Sequence, residues 1–228
     1  MKRGKKYIES SKQVDRNNKY SLEEGIELVK KLSYSTFPGT LEVHIDINVP
    51  KDRDPKSIRG AYTLPHSSDV KDIKIAVLCT PEMEAEATKA GADFVGLDKI
   101  SKDIKAGKIE FDVVIATPSV MPKIASLGRE LGPKGLMPNP KNGTVTDDLE
   151  AAIKEYKQGK QTFSCDETGV IHMKAGKLDM DTKELVENVH SCITTVENIL
   201  GKPYNLSVTR MSIAPTMGAG VRINYSKE

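Results

Sequence analysis

Two hydrophobic periods alternate along this chain, and they do not belong to the same kind of sheet. Over residues 40–49 the sequence TLEVHIDINV alternates strictly, with Leu41, Val43, Ile45, Ile47 and Val49 on one side and Glu42, His44, Asp46 and Asn48 on the other. Such a strand is buried on one face only, as in an antiparallel or mixed sheet with an exposed surface. Residues 73–79 and 111–116 instead form nearly continuous apolar runs, the mark of strands covered on both faces, and each leads into a stretch that opens with proline. Between them the pattern gives a helix over about 81–90, a short strand at 93–96 and a helix ending near Gly107. That β-α-β-α-β-α order implies a small doubly wound unit.

The one-faced pattern dominates on either side of this unit. Ser21 and Glu24 form a capping box, and Leu22, Ile26, Val29 and Leu32 recur at helical spacing, which predicts a helix over 21–32. After a helix over about 147–158 come strands at 160–165 and 170–173 with a turn at Asp166–Gly169. A helix over 182–200 follows, its stripe made of Leu185, Val189, Ile193, Val196 and Leu200, and strands at 206–214 and 221–224 close the chain. One helix and one half-buried strand cannot close a core alone, so residues 1–67 and 160–228 are expected to fold together. Residues 68–159 are then an insertion, with a two-strand hinge near Ser67 and Gly159. The fold class is α/β.

Charge narrows the function classes less than its distribution does. Thirty-four Lys and Arg against thirty-two Asp and Glu leave a net charge of +2, too little for general attraction to polyanions. The first nineteen residues nevertheless carry seven cations (Lys2, Arg3, Lys5, Lys6, Lys12, Arg16, Lys19) against Glu9 and Asp15, a pattern read either as a solvated arm or as a phosphate contact. Cys79, Cys165 and Cys192 are odd in number and lack CxxC spacing, so neither a disulfide framework nor a zinc knuckle is indicated. With no signal-peptide pattern and no long apolar run, a soluble cytoplasmic protein is expected.

Catalytic motifs are missing. No GxGxxG follows the strand at 73–79, GxxxxGK[ST], HExxH and GxSxG do not occur, and His44, His66, His172 and His190 are not at metal-ligand spacing. The expectation is therefore no enzyme, no cofactor and no metal site, with a nucleotide-binding enzyme built on the inserted unit as the rival. Two segments remain. Residues 127–145, LGRELGPKGLMPNPKNGTV, combine cations with glycine and proline, and read either as a phosphate-approaching loop or as a rigid connector. Residues 215–220, Pro-Thr-Met-Gly-Ala-Gly, read as a binding turn or simply a tight hairpin.

At these segments the chain resembles the universal first-numbered protein family of the large ribosomal subunit, the stalk protein beside the transfer-RNA exit site, in its bacterial form. The most specific stretch is 127–145, supported by Phe37 with the run Thr40 to His44, by Asp166–Gly169 and by Thr216–Gly218. The resemblance implies a first domain built from both chain ends as a split β-α-β layer, with a Rossmann-like αβα second domain inserted. It implies binding to large-subunit ribosomal RNA, a mobile stalk that aids release of deacylated transfer RNA, and repression of its own messenger, by a chain that is monomeric away from the cytoplasmic ribosome. Carried over residue by residue, the RNA surface falls on Phe37, Thr40, Glu42, His44, Asp166, Thr168, Gly169, Thr216, Met217 and Gly218. The threonines would bond 2′-hydroxyls or phosphates, Gly218 would allow close backbone approach, and Phe37 and Met217 would press apolar atoms on riboses or bases. Thr36 and Glu167 stand where family members often have a basic residue.

Overall fold

A computed structural model describes residues 4–15, 18–49, 54–66, 73–107, 109–201 and 208–225. Lys2, Arg3 and Arg16 of the basic arm, and Ser67 of the expected hinge, lie outside them. In chain order the helices are α1 (Lys5–Lys12), α2 (Leu22–Leu32), α3 (Glu84–Lys89), α4 (Leu97–Lys105), α5 (Met121–Ile124), α6 (Gly128–Leu131), α7 (Leu149–Lys157) and α8 (Thr182–Leu200). The strands are β1 (Thr40–Ile47), β2 (Arg59–Tyr62), β3 (Ile75–Leu78), β4 (Phe94–Val95), β5 (Val113–Ala116), β6 (Gln161–Ser164), β7 (Val170–Lys177), β8 (Val208–Pro215) and β9 (Val221–Ile223). Contacts divide the chain into two units, Met1–Ser68 with Thr162–Glu228, and Asp69–Gln161.

The discontinuous unit is organised by β1. Its residues alternate between half-buried and buried along the whole strand, as the sequence pattern requires, and it pairs antiparallel with β7 on one side and β8 on the other. With β9 the sheet order is β7-β1-β8-β9. Leu41, Val43 and Ile45 are fully buried in one cluster with Ile26 and Val29 of α2 and Leu185, Val189 and Ile193 of α8. Each large aliphatic side chain removed from water there contributes roughly 1.5–3 kcal/mol. The opposite face of the sheet carries the polar half of the alternation.

In the second unit β4, β3 and β5 form a parallel sheet, and its strands are apolar throughout because both faces are covered. Ala76, Leu78, Val114 and Ala116 pack with Ile104 of α4, Ile124 of α5 and Leu131 of α6. Ile75, Val77 and Ile115 pack with Ala87 of α3 and Ile153 and Tyr156 of α7. Helices, sheet and helices make three layers, and the protein is of the α/β class.

Several expectations are corrected. Strand β1 stops at Ile47 instead of Val49, because pairing with β8 slips between Asp46 and Ile47 and the Ile47 N–H donates to the Gly169 carbonyl at 2.9 Å. Strand β7 runs to Lys177, four residues past the expected end. Pairing jumps from Glu42–Lys174 to Leu41–Gly176, so Ala175 is the extra residue of a bulge that resets the alternation. The expected helix over 81–90 is a 3₁₀ turn, Pro81–Met83, followed by α3. The segment 127–145 is not all loop: it opens with α6 and contains a 3₁₀ turn at Pro140–Asn142, and Leu127 and Leu131 are core residues. The basic arm is not simply solvated, since residues 5–12 form α1, Ser10 donates to the Leu32 carbonyl at 2.9 Å and Val14 joins the core.

Candidate functional site

Strand β1, about 23 Å long at roughly 3.3 Å per residue, carries Thr40, Glu42 and His44 on its open face. One end is a lock between Thr40 and the β8–β9 turn. The Thr216 N–H donates to the Thr40 carbonyl at 3.0 Å, and the Thr40 N–H donates to the Thr216 hydroxyl at 3.0 Å. The same hydroxyl lies 3.2 Å from the Thr40 carbonyl and 3.4 Å from Glu42 Oε1, both acceptors for its proton. From there the track continues: Glu42 Oε2 lies 3.9 Å from His44 Nε2, His44 Nδ1 lies 2.8 Å from His172 Nδ1, and His172 Nε2 lies 3.7 Å from Asp166 Oδ2. Asp166 in turn orders its own turn. Its Oδ1 accepts from the backbone N–H of Thr168 at 2.9 Å and of Val170 at 2.8 Å, and from the Thr168 hydroxyl at 2.8 Å. Those donors, the Val170 N–H first, hold the Asp166 carboxyl below its usual pKa.

Nine of the ten expected residues therefore belong to one polar track or the two turns that end it, Met217 among them on the Thr216 turn. Phe37 is set apart, three residues before Thr40. Both apolar members project: Phe37 is 55% and Met217 42% exposed, and with Ile8 they are the large hydrophobic side chains left open among the described residues. The roles of others change. Both threonine hydroxyls named above spend their protons inside the protein, so Thr168 and Thr216 shape turns and offer only lone pairs outward. Gly218 does not turn a bare face to a ligand: a Cβ there would lie 2.5 Å from Pro215 Cγ and 3.0 Å from the Leu32 carbonyl oxygen. Gly169 is buried at φ +88, a left-handed turn position that a side chain would strain.

Sequence spacing missed what cross-strand register supplies. His172 faces His44, Lys174 faces Glu42, Ser212 also faces His44, Arg210 faces Asp46 and Arg222 faces Ser212. The alternation of residues 170–173 does place His172 outward, but only pairing shows whom it meets. Glu167, the acidic departure from the family pattern, pairs with Lys56 at 2.6 Å.

Two imidazoles joined through their Nδ1 atoms need one proton between them, since two protons repel and none leaves no hydrogen bond. Partial burial, then the charge of His172, push the His44 pKa below 6.5, against a smaller opposing pull from Glu42. The unfolded imidazole consequently takes a proton before the folded one, so the stability contributed by neutral His44 is present above pH 6.5 and fades as pH falls through that value. In an NMR titration the His44 ring is expected to titrate below 6.5, and His172→Gln is expected to raise its midpoint by removing the neighbouring charge. An unchanged midpoint in that variant would show that the pair does not share its proton.

The other candidate segment lies in the second unit. Asn139 and Thr144 tie it to itself, the Asn139 N–H donating to the Thr144 hydroxyl at 2.7 Å, while Arg129, Lys134 and Lys141 are exposed. A crevice of about 300 Å³ at the carboxyl ends of β3 and β4 is lined by Thr80, Glu84, Gly96 and Lys99, with Lys123. After β3 the turn begins with Pro81, which has no N–H to give a phosphate. No group of three or more His, Cys, Asp or Glu able to hold a metal ion occurs among the described residues.

A profile of the Ribosomal protein L1p/L10e family matches residues 29–219. Proteins named large ribosomal subunit protein uL1 are similar over nearly the full length. That of Kosmotoga olearia is 39% identical over 229 residues, covering 99% of this chain and 98% of the relative. That of Thermosipho melanesiensis is 40% identical, with 98% and 97% covered, and that of Bacteroides thetaiotaomicron 39%, with 94% and 93% covered. With an exposed polar sheet face on one unit, a parallel three-layer second unit, and similarity from end to end, this chain belongs to the Ribosomal protein L1p/L10e family.

Proposed function

We propose that the chain is a structural protein of the large ribosomal subunit in the cytoplasm, without catalytic activity, and that its discontinuous unit is the RNA-binding domain. Large-subunit ribosomal RNA is the ligand of the track from Thr216 to Thr168. The observation that carries this reading is the pair of exposed apolar side chains, Phe37 and Met217, placed within three residues and one residue of the Thr40–Thr216 lock at the end of an open polar sheet face. A folded chain leaves such side chains in water at a cost unless a partner covers them, and beside rigid polar groups they exclude water from the contacts those groups make. The track is rich in acceptors and imidazoles and poor in cations, which suits 2′-hydroxyls and base edges better than phosphates. RNA is then recognised by shape.

By resemblance to its family the chain also forms the mobile stalk beside the transfer-RNA exit site, helps release deacylated transfer RNA, represses its own messenger through a mimic of the ribosomal site, and is a monomer when free. None of its described helices is long and apolar enough to cross a membrane. Met217→Ala separates binding from folding, because the side chain is 42% exposed and its loss leaves no cavity. Affinity for the stalk-region RNA is expected to fall by about 1–3 kcal/mol in a gel-shift titration, with the melting midpoint unchanged. Thr216→Ala should fall at least as far. Parental affinity in both variants would refute the site.

A further inference from the structure

The track carries no excess of positive charge, since Lys174 and Lys177, which face Glu42 and Thr40 from β7, are matched in number by Glu42 and Asp166, while a polynucleotide presents one negative charge per residue. Further cations stand beside it, at the β9 edge. Strands β8 and β9 end, away from the Thr216 turn, at a cleft of about 380 Å³ lined by Lys19, Thr209, Arg210, Arg222 and Asn224. Lys19, Arg210 and Arg222 are all exposed, and none forms an ion pair among the described residues. Asp46, the carboxylate that faces Arg210 across the ladder, is not close enough to pair with it. Lys19 is held at this edge because its neighbour Tyr20 pairs with β9: the Tyr20 N–H donates to the Arg222 carbonyl at 3.0 Å and the Asn224 N–H to the Tyr20 carbonyl at 2.8 Å. Three cations on one cleft, with no ion pair among the described residues and in a protein whose whole net charge is +2, are a local field that the sequence total conceals.

We infer that this cleft is a phosphodiester-binding site, where the backbone of the RNA bound along the track crosses from β1 to the β9 edge. The inference rests on the RNA reading of the track. Register supplies the continuity: His44, Ser212 and Arg222 stand in one cross-strand row, so a strand of RNA lying over His44 reaches Arg222 without leaving the face. Guanidinium groups offer paired N–H donors that match two phosphate oxygens, and Thr209 and Asn224 add neutral donors alongside. Recognition and attraction are thereby divided. The track reads 2′-hydroxyls and bases, and the cleft neutralises charge.

The test measures the affinity of the complete chain for the stalk-region RNA as a function of salt, for the parent, Arg222→Gln, and the triple variant Lys19→Gln, Arg210→Gln, Arg222→Gln. Each phosphate contact contributes roughly 0.7–0.9 to the slope of log K against log salt, so the triple variant is expected to flatten the slope by roughly 2.1–2.7 and the single variant by just under 1. At low salt the single variant should bind about three- to tenfold more weakly, and near molar salt parent and variants should converge. A loss that is equal at every salt concentration would mean that the residues act through the fold, and an unchanged slope would leave the cleft to some other partner, such as an acidic protein. Either result overturns the assignment while the track stands. A parent chain that fails to bind the RNA at all brings down both.

Discussion

Replacing Asn188 with leucine is expected to cost the discontinuous unit about 3–5 kcal/mol, more than any other single change considered for this protein. Asn188 lies on α8 and is fully buried. Its Oδ1 accepts from the His66 N–H at 3.0 Å, and its Nδ2 donates to the carbonyls of His66 at 2.7 Å and Ala175 at 2.8 Å. One amide thus ties the chain beyond β2 to the bulged residue of β7. Leucine has the same branched skeleton, is somewhat bulkier and supplies none of those bonds, so one N–H and two carbonyls lose their partners, each worth roughly 1–3 kcal/mol less whatever water can restore. Calorimetry suits the measurement, because the chain has no tryptophan to report unfolding by fluorescence. One transition is expected to move down by about 10 °C or more. Lys183→Ala, exposed on the same helix, should move it little. A shift of less than 3 °C for Asn188→Leu would mean that the bonds do not hold that corner together.

Asn188 also shows which part of the fold is written locally and which is not. The start of α2 follows from Ser21 and Glu24, whose reciprocal capping bonds form as the sequence predicts, and α8 begins at Thr182 and ends at Leu200 as its stripe implies. Strand β1 is legible because every second residue is buried. These are properties of short windows. Within the stripe of α8, Asn188 registers only as a polar interruption, and its value depends on two carbonyls from distant segments. Helix α1 escapes the sequence reading for the same reason: its N-cap Gly4 makes no side-chain bond and its first turn has no acid, so docking of Ser10 on Leu32 holds what propensity alone would not. The bulge at Ala175 is a relation between strands and leaves no signature in either.

The candidate site divides along the same line. Motif resemblance picks out Thr40, Glu42, His44, Asp166 and Thr216, and the fold joins them into one track. It does not pick out His172, Arg210 or Arg222, which acquire neighbours only once β1 has a register with β7 and β8 and β8 with β9. Strand pairing turns scattered charges into a row, and no pattern within a single strand encodes that. The low total charge misleads in the same way, because Lys56 with Glu167 and Lys160 with Glu155 neutralise one another while the cations at the β9 edge have no ion pair among the described residues.

Gly218→Ala is expected to weaken RNA binding at least tenfold and to lower stability by about 1–3 kcal/mol, and the two losses should arrive together. The added methyl would sit 2.5 Å from a proline ring carbon and 3.0 Å from a backbone oxygen of α2. Neither is the loose end of a flexible side chain, so the turn itself must move, carrying Met217 away and opening the Thr40–Thr216 lock. Gly220, two residues on, provides the control. A Cβ there meets its nearest neighbours at 3.7 Å, an ordinary contact, and Gly220→Ala should change stability by no more than about 0.5 kcal/mol. The pair separates two explanations for a glycine-bearing turn beside a ligand. If the glycine serves close approach by RNA, Gly218→Ala binds poorly and melts like the parent. If it serves the seat of the turn on α2, binding and melting fall together, and a change of Met217 environment is visible by NMR in the free protein. The 2.5 Å contact with Pro215 decides for the second.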